Sequence, residues 1–145
     1  MTAMISDFLI PKLQERFSSH GLQVSVSPEP CAVFPAIHPD VGDVVISDEG
    51  YEVTLQAGRF THGHFANYDQ NLSDTQKAER ISEDIVQFLD DLFADRIVLW
   101  GSHNSSGGWY PRDEPRPGFW SGRGELYVWS GPLSLCETVK PVTNP

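Results

Sequence analysis

The stretch from Ser73 to Trp100, SDTQKAERISEDIVQFLDDLFADRIVLW, decides the fold. Ser73-Asp74-Thr75-Gln76 has the form of a capping box. The Ser73 hydroxyl and the Gln76 side chain can satisfy backbone N–H groups that a helix start leaves without partners. Ala78, Ile81, Ile85, Phe88, Leu89, Leu92 and Phe93 then recur at three- and four-residue spacing. That spacing predicts a helix over 74–93 with one apolar face. Arg96 to Trp100 (RIVLW) follows at once and reads as a buried strand. A one-faced helix running straight into a buried strand implies a sheet for the helix to cover.

Upstream, Ile5, Phe8, Leu9, Leu13 and Phe17 make a second apolar stripe, predicting a helix over about 5–18. Pro11 leaves two registers open. Either the helix starts near Ile10 with Pro11 in its first turn, or it starts near Ser6 and kinks. His20-Gly21 is a stop signal, because glycine takes the left-handed cap at little cost. Leu22 to Val26 alternates like a half-buried strand, and Ala32 to Ile37, containing Pro35, reads as an edge strand or a bulge. Asp43 to Ser47 and Tyr51 to Ala57 flank Asp48-Glu49-Gly50, the strongest hairpin signal in the chain. Arg59 to Ala66 adds one more strand.

Downstream, Gly101 to Gly124 is rich in Gly, Pro, Ser and Asn and carries Trp109, Tyr110, Phe119 and Trp120. It reads as a long irregular aromatic loop, and such loops inside small domains are usually functional or disordered. Glu125 to Trp129 closes the sheet, and the tail frays over about 138–145. The order predicts a single α+β domain spanning 1–145, mainly an antiparallel sheet of about 5–6 strands with two helices packed on it.

The 145 residues carry ten basic and twenty acidic side chains, a formal charge of −10. Residues 69–100 hold eight acids and three bases, as many as residues 1–68 in half the length. Such a surface repels nucleic acid and anionic membranes and suits a basic protein partner. No apolar run approaches the ~18 residues of a membrane helix, and Met1 to Asp7 lacks the features of a secretory leader. A cytoplasmic chain is expected, with Cys31 and Cys136 as reduced thiols, since they share no CxxC or Cys/His pattern. A disulfide tying the tail to the body is the alternative.

Signals for chemistry are sparse. His62-Gly63-His64 on a strand would point both imidazoles to one side, where they could grip a metal with Asp69, His38 or His103 as third ligand. Ser105 and Ser106 sit near His103, but no G-x-S-x-G elbow is present. Cys31 lacks a helix N-terminus to lower its pKa. Neither a Walker A pattern nor G-x-G-x-x-G occurs, and Gly122-Arg123-Gly124 is too short to count, so no cofactor is expected. A non-enzyme is the main expectation, with a small metal-dependent enzyme using His62 and His64 as an alternative.

Two groups suit protein binding instead. Asp90, Asp91 and Asp95 crowd the C-terminal end of the 74–93 helix, where acids oppose the dipole, and Glu79, Glu83 and Asp84 precede them. Trp109, Tyr110 and Trp120, with Arg112, Arg116 and Arg123, have the composition of an interface hot spot.

Taken together, RFTHGHFANY (Arg59 to Tyr68), VQFLDDLFADR, RIVLW and the GGW of Gly107 to Trp109 carry a likeness. Over about residues 51–109 the chain resembles the small acidic immunity proteins of bacterial polymorphic-toxin systems. The resemblance implies a cytosolic protein that binds a cognate toxin and blocks it, with no catalytic residues of its own. On this reading the partner-binding residues are Glu83, Asp84, Asp90, Asp91, Asp95, Trp109, Tyr110 and Trp120. The chain is also similar to type III secretion chaperones, which are homodimers. Those usually end in a further helix, for which the proline-containing tail is unsuited.

Overall fold

The computed structural model describes residues 5–25, 31–102, 105–113 and 125–133. His103, Trp120, Cys136 and the tail over 138–145 lie outside these residues. Helix α1 (Ser6–Phe17) and a 3-10 turn (Ser18–His20) lead into strands β1 (Gln23–Val24), β2 (Ala32–Phe34), β3 (Val44–Asp48), β4 (Glu52–Ala57) and β5 (Thr61–Ala66). Helix α2 (Asp74–Phe93) follows, then β6 (Ile97–Ser102), β7 (Ser105–Pro111), β8 (Glu125–Val128) and β9 (Gly131–Pro132). Two helices with antiparallel strands make the α+β class expected from the sequence.

The strands divide between two sheets, where one sheet was expected. The first is a meander in the order β1-β2-β3-β4-β5, and the second has the order β7-β6-β8-β9. The division falls at α2. When the chain leaves that helix, β6 takes β7 and β8 as its ladder partners, not a strand of the first sheet.

The expected irregular loop over 101–124 also needs correction, because 105–111 is β7. Its glycines suggested a break in structure, yet they permit a close backbone approach. A Cβ on Gly107 would lie 2.0 Å from the Trp100 carbonyl oxygen and 2.7 Å from that of Phe60. The Gly107 N–H donates to the Phe60 oxygen at 3.1 Å, joining β7 to the start of β5. Gly108 lies so close to the Trp100 indole that a Cβ there would be 2.7 Å from its ring.

Helix α2 starts as expected. Gln76 N–H donates to Ser73 Oγ at 3.1 Å, and Ser73 N–H donates to Gln76 Oε1 at 2.8 Å. Helix α1 takes the earlier of its two starts, with Pro11 inside it. Ile5 offers no capping side chain, so the cap comes from elsewhere. Buried Asp48 at the end of β3 accepts the Ser6 N–H on Oδ2 at 2.7 Å and the Gly50 N–H on Oδ1 at 2.8 Å. One carboxylate thus satisfies a helix start and the tight turn between β3 and β4.

Both helices and both sheets share one core. Leu9, Leu13 and Phe17 of α1 meet Ile81, Ile85, Leu89 and Leu92 of α2 over Phe34, Ile46, Val53 and Leu55 of the first sheet. Ile97, Leu99 and Tyr127 of the second sheet point into the same core, while Val98, Tyr110, Leu126 and Val128 form a smaller cluster on its other face. Burial on both faces accounts for the unbroken apolar run RIVLW. Among the described residues, no helix is long and apolar enough to cross a membrane.

Cys31 is a buried free thiol. Burial raises its pKa, and the nearby Asp48 charge adds to the effect. Both favour the unreactive protonated form. Iodoacetamide at neutral pH is therefore expected to leave Cys31 unmodified in the native protein and to label it after unfolding, read by peptide mass spectrometry. Prompt native labelling would show that this part of the core opens easily.

Candidate functional site

Helical spacing splits the acids of α2 into two rows. Glu79, Glu83 and Asp90 lie on the flank toward α1. There Asp90 is gripped by Arg16, with Nη2 at 2.6 Å from Oδ2 and Nε at 2.9 Å from Oδ1. The hydrogen bond to Asp90, aided by its charge, raises the Arg16 pKa. Lys12, Glu15, Arg16, Glu83 and Val86 line a shallow depression on this side. Asp84 and Asp91 lie on the opposite flank, beside Phe88.

Three of the nominated acids are occupied within the chain. Asp90 holds Arg16. Asp91 accepts from Arg96, with Nη2 at 2.8 Å and Nε at 3.0 Å. Asp95, in the left-handed region at φ 61°, accepts the Ser130 N–H at 3.0 Å and its hydroxyl at 2.6 Å. The crowding of acids at the end of α2 thus has a structural use. Glu83 and Asp84 are exposed and make no ion pair among the described residues.

The aromatic residues separate in the same way. Trp109 on β7 is 42 % exposed and stands edge-on to Phe88 of α2, with ring centroids 5.2 Å apart at 74°. Phe88 in turn meets Phe65 of β5 at 5.9 Å. Tyr110 follows Trp109 on the strand and so points to the other face. It is buried with Val98, Leu126 and Val128, so its nomination as a surface anchor is not supported by its position. Trp120 lies outside the described residues.

Trp109 is thus braced on Phe88 of α2, and Asp84 lies one helical turn before Phe88 on the same flank of that helix. Beyond it, Asp91, Asp95, Arg96, Arg112 and Asp113 line an open cleft of about 500 Å³. Phe88 was legible in the sequence only as part of the apolar face of its helix, and Phe65 only as a residue of a strand. Their role as supports for Trp109 depends on β7 lying beside β5.

His62 and His64 share the outer face of β5 as expected, with ring centroids 5.2 Å apart. The third ligands considered from sequence do not join them. Asp69 Oδ1 accepts the Asn71 N–H in its own turn, and His38 Nδ1 accepts the Asp40 N–H. His103 is outside the described residues. The ladder instead pairs Thr54 with His64 and Glu52 with Ala66. Glu52 Oε2 comes to 3.3 Å from His64 Nδ1. Glu49 of the β3–β4 turn completes a group of three whose ligand atoms lie within 4.8 Å of one another. Glu49 and Glu52 were visible as polar residues, but only the β4–β5 register brings them to His64.

No protein-family model, no curated protein and no solved structure matches this chain.

Proposed function

We propose that this chain is an inhibitor-type binding protein of the immunity kind: a cytosolic protein that neutralises a basic toxin by direct contact and performs no catalysis. The observation that supports this most is the half-exposed Trp109, braced edge-on by Phe88, with the exposed Asp84 one helical turn before Phe88 on α2. An aromatic held in one orientation can bury large area on binding at little entropic cost. The formal charge of −10 would speed encounter with a basic partner and contribute less to residence time.

The test starts with a protein captured from the source cells on the tagged chain. Expressed alone in a host, that protein should arrest growth, and co-expression of the chain should restore it. Trp109→Ala should raise the dissociation rate about 100-fold, the scale of a central hot-spot residue. Added salt should slow association far more than dissociation. Rescue by Trp109→Ala at wild-type affinity would overturn the proposed surface. A homodimer in light scattering, with a secreted effector as partner, would instead favour the chaperone reading.

A further inference from the structure

We infer that Glu49, Glu52 and His64 form a site for one divalent transition-metal cation of the zinc type, on the outer face of the first sheet. His64 and Phe65 alternate on β5, so this site lies on the opposite face from the Trp109 surface and stands independently of the binding reading.

The donor set is two carboxylates and one imidazole. Zinc bonds to such ligands at ~2.0–2.2 Å in a tetrahedron, which places neighbouring donor atoms roughly 3.4 Å apart. His64 Nδ1 and Glu52 Oε2 are already 3.3 Å apart, and all three donor atoms fall within 4.8 Å.

The backbone fixes all three positions. Glu52 and His64 sit on adjacent paired strands, and the Glu49 N–H donates to the Glu52 carbonyl at 2.9 Å. The Thr54 hydroxyl donates to Glu49 Oε2 at 2.9 Å and stands 3.2 Å from His64 Nδ1. It holds the glutamate in the manner of the outer hydrogen bonds that orient metal ligands. His62 stands next along the same face, its ring centroid 5.2 Å from that of His64.

Charge points the same way. Two carboxylates meet one imidazole, and a dication would offset the charge of both acids. Imidazole nitrogen favours zinc-type ions over magnesium or calcium, which take oxygen ligands. A bound ion would clip the β3–β4 turn to β5.

The test is calorimetric titration of the Cys136→Ser chain with zinc chloride in a non-coordinating buffer, paired with thermal unfolding. One zinc per chain and a raised Tm are expected. His64→Ala and Glu52→Gln should each weaken binding at least about tenfold, with magnesium giving no response. Glu49→Gln, on an exposed turn, should give the same loss while its amide oxygen can still accept from Thr54, and circular dichroism checks that each variant is folded. Absence of saturable uptake by the parent chain would overturn the site. So would uptake that survives all three substitutions, which would mark the metal as adventitious.

Discussion

Gly107→Ala is expected to destabilise the protein by at least about 3 kcal/mol, the upper end of what a single added methyl costs in a packed interior. The reason is local and severe. The new Cβ would sit 2.0 Å from the Trp100 carbonyl oxygen and 2.7 Å from the Phe60 carbonyl oxygen. Both are backbone atoms, so no rotamer change relieves the clash. β7 must draw away from β6 or from the start of β5, and the Gly107 N–H bond to Phe60 is lost with it. For a chain of this size the loss corresponds to a fall in Tm of roughly 10 °C. Because Trp109 lies two residues on, its contact with Phe88 should loosen as well, visible as a changed near-ultraviolet circular dichroism signal. Gly63→Ala is the control. Its nearest neighbour would be a side-chain atom of Phe65 at 3.9 Å, and its expected effect is within about 0.5 kcal/mol. Equal effects at the two sites would contradict the close approach of β7.

Asp48→Ala should be nearly as damaging, by about 3 kcal/mol. Asp48 is only 2 % exposed, and its two oxygens serve the Ser6 and Gly50 N–H groups. Truncation leaves both donors without their acceptor and removes a negative charge from the start of α1. Asp48→Asn keeps one acceptor oxygen, so about half the loss should return. Urea unfolding of the two variants measures this difference directly. If alanine and asparagine behaved alike, the carboxylate would not be acting as the cap of α1.

These two sites also mark where the sequence was readable and where it was not. The capping box at Ser73, the apolar stripe of α2 and the Asp48-Glu49-Gly50 hairpin are local signals, and local hydrogen bonds and periodicity reveal them. The start of α1 could not be chosen from its own residues, because its cap lies 42 positions away in Asp48. The glycines of β7 resembled loop residues, because what they accommodate is the backbone of Trp100 and Phe60. The acids ending α2 suggested a partner surface, while Arg16, Arg96 and Ser130 already occupy three of them. The partners of His64 depended on the β4–β5 register. In each case the missing information was a contact between distant parts of the chain.

The most direct test of the Trp109 surface is a parallel capture from lysate of the source cells, with the wild-type chain, Trp109→Ala and Asp84→Lys as baits, each confirmed folded. One stoichiometric partner on the wild-type bait, lost or strongly reduced on both variants, is the predicted result. Equal recovery on all three baits, or no partner on any, would contradict a binding function carried by Trp109 and Asp84.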